Sequence, residues 1–103
     1  MNDRLLGMLG LAVRAKKVSF GVFMTQKALD EGRAKLVIAA SDIGQSNRRS
    51  IENKCREWDV PLIFYSDKAQ LSRSVGKKDM PVAGICDEGF AGAIVKIYGG
   101  AQK

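Results

Sequence analysis

Short apolar runs that alternate with segments of helical periodicity constrain this chain most strongly. Four runs have the length and composition of strands: residues 18–20, 36–40, 62–65 and 82–86. Each is followed by a stretch in which apolar residues recur every three or four positions, as on one face of a helix. Strands that alternate with helices form a sheet, partly or largely parallel, with helices on both faces. We therefore predict an α/β fold, a three-layer α/β/α sandwich with a mixed, roughly four-stranded sheet.

Capping residues and glycines predict where the five helices begin and end. Helices are expected over residues 3–15, 22–31, 46–58, 67–75 and 87–99. Ser46, Asp67 and Asp87 suit N-cap positions, because a short polar side chain can accept a hydrogen bond from the first turn. Glycines stand where helices should end: Gly32, Gly76, and Gly99 with Gly100.

The charge balance favours a polyanionic partner. The 103 residues, enough for a single domain, include 17 Lys and Arg against 11 Asp and Glu, a net charge of +6. Residues 1–58 hold most of this surplus, with 11 basic and 6 acidic residues. A basic surface attracts nucleic acid. The alternative, that a basic composition serves only solubility, stays open at this point.

The residues needed for catalysis or metal binding are scarce. The chain has no histidine and two cysteines, too few ligands for a zinc site. Cys55, on a predicted inner stripe with Ile51 and Trp58, and Cys86 are both interpreted as buried small hydrophobes. Nucleotide-binding glycine motifs and the nucleophile elbow are absent from the sequence. We expect no enzyme activity, no cofactor and no metal.

The N-terminal apolar stretch predicts a helix of the mature protein. It is too short to cross a membrane, and its cluster of positive charge follows the apolar run, whereas in a signal peptide the charge comes first. We expect a cytoplasmic protein, with no membrane contact and a monomeric state.

The start of the second helix is the strongest candidate site. Gly21 precedes it, and a glycine there lets a ligand approach the backbone, whose free N–H groups favour an anion. Helical spacing places Val22, Met24 and Thr25 on the inner face. It places Phe23 on the outer face, beside Gln26 and Lys27. An exposed aromatic ring near a lysine suits a nucleobase. Alternatively, Phe23 packs against the preceding helix or against a dimer partner.

Further basic residues follow helix ends. Arg33 and Lys35 come after the second helix, and Lys77 and Lys78 come after Gly76. Arg48 and Arg49 lie in the first turn of the third helix, where positive charge opposes the helix dipole. Such an unfavourable position hints at an external anion, although a solvated face is the plain alternative.

Three segments carry a family resemblance: LGLAVRAKKVSFGVFMTQKALDEGRAKLVIAASD, VPLIFYS and LSRSVG. Over roughly residues 5–98 the chain resembles the bacterial YlxQ-like family, within the superfamily of kink-turn-binding ribosomal proteins. The resemblance implies one RNA-binding domain over residues 1–103, with the same sandwich fold. It also implies a structured RNA as the partner, with ribosomal RNA as one candidate. The RNA feature bound by the family is often a kink-turn, a sharply bent internal loop with sheared purine pairs.

The resemblance implies two contact regions, the start of the second helix and the loop before the last strand. Gly21 and Lys27 match the family pattern, but Phe23 and Met24 replace the asparagine and glutamate that read purine edges in its members. Lysines also replace apolar residues in the loop, which predicts stronger phosphate contact. The expected RNA-binding residues are Gly21, Val22, Phe23, Gln26, Lys27, Arg33, Lys35, Gly76, Lys77, Lys78 and Met80. The rival hypothesis is a protein-interaction adaptor that docks through Phe23 and Met24.

Overall fold

A computed structural model describes the backbone of residues 3–101 and the side chains of residues 3–99. Its elements alternate along the chain as predicted. In order they are α1 (Arg4–Arg14), β1 (Val18–Phe20), α2 (Gly21–Asp30), β2 (Leu36–Ala39), α3 (Gln45–Glu57), β3 (Leu62–Phe64), α4 (Lys68–Ser74), β4 (Val82–Ile85) and α5 (Glu88–Ala101).

The sheet is mixed and four-stranded, with the order β1-β4-β2-β3. β2 and β3 are parallel, whereas β4 runs antiparallel to both β1 and β2. The mixed sheet is confirmed, and of the two alternatives it is partly and not largely parallel. After β3 the chain passes through the short helix α4 and returns to the same end of the sheet at which β3 finished. β4 starts from that end, so it runs opposite to the other three strands.

Helices cover both faces of the sheet and bury two apolar clusters. One cluster packs α1, α4 and α5 on the sheet and includes Leu9, Ile38 and Ile94; the other packs α2 and α3 and includes Leu29 and Ile51. All five side chains are fully buried. Burying such a side chain contributes about 1.5–3 kcal/mol relative to leaving it in water. The predicted three-layer sandwich is therefore confirmed.

Two predicted helix boundaries are wrong. α3 begins at Gln45, before Ser46, because the Arg48 amide donates to the Gly44 carbonyl at 2.8 Å and Gly44 becomes the N-cap. α5 continues through Gly99, which lacks the left-handed φ that Gly32 and Gly76 adopt where their helices end. A glycine costs a helix interior about 1 kcal/mol but does not terminate it alone.

The side chain of Trp58 lies outside the core, contrary to the expected inner stripe of α3. It is 43% exposed, and its Nε1–H donates to Asp30 Oδ1 at 3.0 Å. Lys54 Nζ lies 2.7 Å from the same oxygen. The hydrogen bond from Lys54 and then that from Trp58 lower the pKa of Asp30. Trp58 thus links the ends of α2 and α3 at the surface.

We expect the two cysteines to differ sharply in reactivity. Cys55 is buried, and desolvation raises the pKa of its thiol to about 11, so almost none of it is the reactive thiolate at neutral pH. Cys86 is only half-buried, unlike the expected core position, and lies 3.4 Å from Ser19 Oγ. Titration of the folded protein with a maleimide at pH 7.5 should modify Cys86 and spare Cys55. Equal rates for both thiols without denaturant would contradict this.

Candidate functional site

One edge of the sheet gathers both regions expected to bind a ligand. β1, β2 and β3 end there at Phe20, Ala39 and Phe64, and β4 begins there, since Phe20 pairs with Ala83 and Ala39 pairs with Val82. We call it the carboxyl edge. The starts of α2, α3 and α4 and the loop between α4 and β4 all lie along it.

The start of α2 is open to a ligand. Gly21 has a φ of +86°, and a Cβ built there would meet no atom within 4 Å. The N-cap is Phe20, whose side chain forms no capping hydrogen bond, and the first turn holds no acidic residue. The amides of this turn therefore keep the partial positive charge that favours an anion.

The outer face of α2 presents an aromatic ring to solvent. Phe23 is 73% exposed, so the alternative that it packs within its own chain is wrong. Met24 is 43% exposed, which corrects its expected place on the inner face. The reason is the close approach of α2 to the sheet, where a Cβ on Gly84 would lie 3.1 Å from Thr25 Cγ2. That contact centres the buried stripe on Thr25 and leaves Met24 beside Phe23, with Gln26 half-buried and Lys27 exposed.

The loop between α4 and β4 approaches the start of α2. Lys77 Nζ lies 4.7 Å above the centre of the Phe20 ring, a cation–π contact with the residue that precedes Gly21. Gly76, with a φ of +72°, ends α4 and directs the chain into this loop. Lys78 is exposed. The structure thus brings together the two predicted contact regions.

Met80 does not belong to the exposed part of this loop, contrary to its place among the expected binding residues. Its side chain is buried in the core. Its amide donates to Ser72 Oγ at 2.6 Å, and Ser72 Oγ donates to the Met80 carbonyl at 3.3 Å. Met80 therefore anchors the loop and leaves no side chain for a ligand.

Arg33 and Lys35 lie at the opposite edge of the sheet. The Lys35 amide donates to the carbonyl of Ile85, at the far end of β4, at 2.7 Å. α2 has ten residues, so about 15 Å of helix separates its two ends. Arg33 Nε also lies 2.7 Å from Glu31 Oε1, a hydrogen bond that raises the pKa of Arg33. The structure thus places Arg33 and Lys35 away from the start of α2, contrary to their place among the expected RNA-binding residues.

Two arginines of α3 extend the basic surface of the carboxyl edge. Arg48 Cζ lies 4.3 Å above the Phe64 ring, and Arg48 Nε lies 3.3 Å from Glu52 Oε2. Arg49 is exposed and lines a polar hollow of about 550 Å³ together with Asn53. α3, like α2, starts without a side-chain cap or an acid. The sequence pointed to these arginines because positive charge is unfavourable in the first turn of a helix. Their location at the carboxyl edge follows only from the strand pairing.

The carboxylates near this edge are occupied by internal contacts. Asp67 Oδ1 accepts from the Gln70 amide and Asp42 Oδ1 accepts from the Lys68 amide, both at 2.8 Å. Asp79 Oδ1 lies 2.8 Å from Lys68 Nζ, and the hydrogen bond raises the pKa of Lys68. Within residues 3–99, no carboxylate forms an ion pair with Lys77 or Lys78, so both lysines can contact a polyanion.

The described part of the chain contains neither a cluster of metal ligands nor a membrane-spanning helix. No three His, Cys, Asp or Glu side chains in that range stand close enough to hold a metal ion. Within the described residues, no helix has the length and apolar character needed to cross a membrane.

Comparison with known proteins assigns the family. The profile of the ribosomal protein L7Ae/L30e/S12e/Gadd45 family matches residues 3–94. The chain belongs to this family. The RNA-binding protein YlxQ of Bacillus subtilis (strain 168) is 34% identical to this chain, over 87% of this chain and 90% of its own length. The RNA-binding protein YlxQ of Enterococcus faecium is 30% identical over 87% of this chain and 86% of its own length.

Two solved structures share the fold of this chain. A protein of unknown function from Bacillus halodurans C has a TM-score of 0.89 and 30% identity, over 93% of this chain and 97% of that one. The Giardia lamblia 15.5kD RNA binding protein has a TM-score of 0.78 over 99% of this chain and 91% of that one. The latter is only 22% identical and supports the fold alone.

Proposed function

We propose that this chain is a non-catalytic RNA-binding protein that recognises structured, kink-turn-like RNA at the carboxyl edge. The observation that carries the proposal is the contact of Lys77 with the Phe20 ring, because it joins the α4–β4 loop to the open start of α2. Gly21 with its uncapped amides, Lys27, Lys77 and Lys78 then face one ligand. The YlxQ relatives are named as RNA-binding proteins, which supports the same activity here.

The electrostatics of the site support RNA over a neutral ligand. Lys27, Lys77 and Lys78 are exposed, and within residues 3–99 none of them forms an ion pair. Each can therefore neutralise a phosphate and release a counterion, the main source of affinity for nucleic acids. The lysines position the RNA backbone, a role that needs no chemical step.

The proposal includes a ribosome-associated, cytoplasmic role as a monomer, with ribosomal RNA as a candidate ligand. A more distant relative supports it. The large ribosomal subunit protein eL8 of Thermoplasma volcanium is 26% identical over 86% of this chain and 74% of its own length. The proposed mode of action is recognition of a folded RNA, with no metal or cofactor.

The test is the salt dependence of binding to a kink-turn RNA. Lys27→Ala should weaken binding up to about tenfold and lower the slope of log K against log salt by about one unit, since one phosphate contact is lost. Lys96→Ala is the matched control, because Lys96 is equally cationic but lies on α5. Affinity and slope should change little in that variant. Equal effects of the two substitutions would show that Lys27 is not part of the RNA interface.

A further inference from the structure

The first turn of α2 offers a ligand only apolar side chains. Val22, Phe23 and Met24 fill the turn after Gly21, and the last two are exposed. Thr25 is fully buried, and its Oγ1 is turned inward, 3.5 Å from the Ser19 carbonyl. Beyond Thr25, the polar side chain of Gln26 is half-buried, and Lys27, one helical turn after Phe23, is exposed.

This arrangement limits how a nucleic acid can be read. Discrimination between bases at their edges requires hydrogen-bond donors and acceptors at defined positions, and the side chains of this turn supply none. A flat aromatic ring instead stacks on the face of a base, and every base has such a face. In a duplex, stacked neighbours cover the faces of each base, so only an unpaired or extruded base can reach the ring.

We infer that Phe23 and Met24 form a stacking platform for one unpaired RNA base, with little preference among the four bases. The inference rests on the proposed RNA binding and specifies the contacted part of a kink-turn-like RNA as its unpaired nucleotides. Binding at this site then depends on an unpaired nucleotide beside the helix start and not on the edges of paired purines.

Charge complementarity favours an RNA base over an apolar protein segment as the occupant of the platform. Lys27 is the i+4 neighbour of Phe23, and Lys77 is fixed over Phe20 beside Gly21. Asp30, the acid nearest to Lys27 along α2, is engaged by Lys54 at 2.7 Å and by Trp58 at 3.0 Å. A base arrives with phosphates on both sides, which these lysines can bind, whereas an apolar peptide would leave them without partners.

The experiment uses three forms of one hairpin RNA. The first has an unpaired bulge beside sheared G·A pairs, the second keeps the bulge but replaces those pairs with Watson–Crick pairs, and the third is fully paired. The chain should bind the first two with similar affinity and the third more weakly. Changing the bulged base among A, C, G and U should alter the affinity by no more than about threefold.

Variants of Phe23 test the platform itself. Phe23→Ala should weaken binding of both bulged RNAs by about five- to a hundredfold, as loss of one stacked base does, with an unchanged salt slope because no counterion is involved. Phe23→Trp should restore binding. Leu11→Ala, at an exposed apolar residue on α1, is the matched control and should bind like the unmodified chain. Thermal melts confirm that each variant is folded.

The outcomes separate this inference from the proposed function. If Lys27→Ala weakens binding while Phe23→Ala does not, or if loss of the G·A pairs abolishes binding, the platform is wrong and the RNA-binding proposal stands. If none of the RNAs binds, the RNA-binding proposal fails, and the platform fails with it. A salt-insensitive complex with a protein that requires Phe23 would overturn the platform as an RNA contact and favour the adaptor.

Discussion

Replacing Lys27, Lys77 and Lys78 together by alanine should reduce the affinity for a bulged, kink-turn RNA by up to about a thousandfold. The estimate takes roughly tenfold for each lost phosphate contact and treats the contacts as independent. The slope of log K against log salt should fall by about two to three units, since each phosphate contact adds about 0.7–0.9. Fluorescence anisotropy over a range of salt concentrations gives both quantities.

A matched triple variant separates the site from the net charge. Lys16, Lys35 and Lys96 are also exposed lysines but lie away from the carboxyl edge, and replacing them by alanine removes the same charge. That variant should keep most of its affinity and slope. Comparable losses in both triple variants would mean that RNA is attracted by overall charge and not by the carboxyl edge.

The second large effect concerns stability, and α1 offers its own control. Leu9 is fully buried in the cluster shared by α1, α4 and α5, whereas Leu11, two residues later, is 48% exposed. Leu9→Ala removes buried methyl groups and leaves a cavity, which should cost about 2–5 kcal/mol of unfolding free energy. In a domain of this size that lowers the melting temperature by about 10–25 °C.

Leu11→Ala makes the same chemical change without a cavity. It should alter the unfolding free energy by no more than about 0.5 kcal/mol, the usual range for surface substitutions. Urea unfolding monitored by circular dichroism measures both variants on one scale. Similar midpoints for the two proteins would show that α1 does not pack on the sheet as described.

Much of the fold could be predicted because it depends on local periodicity. The runs at β2 and β4 are fully buried, as their uninterrupted apolar character implies. Asp67 and Asp87 cap α4 and α5 as their side-chain chemistry suggests, each accepting from an amide three residues on. The direction of β4 was harder to predict, since it depends on where the chain re-enters the sheet.

The candidate site could be predicted only in part. Helical spacing placed Phe23 outside and Thr25 inside correctly, because both lie well within their faces. Arg33 and Lys35 were expected among the RNA-binding residues, but the ten-residue length of α2 separates them from its start. Lys77 and Phe20 are 57 positions apart in the sequence but in contact in the structure. The pairing of β1 with β4 brings them together, and no local sequence pattern predicts that pairing.

The pairing of β1 with β4 makes the proposed binding surface a property of the whole folded chain. Val18 pairs with Ile85 and Phe20 with Ala83. In the unfolded chain this pairing is lost, and the start of α2 and the α4–β4 loop are no longer close to each other. A ligand that contacts both halves binds the native state alone, so it raises the unfolding free energy by an amount set by the ratio of its concentration to its dissociation constant. Saturation with such a ligand at about a hundred times its dissociation constant would contribute about 2.7 kcal/mol, so thermal protection by RNA would itself report an assembled surface.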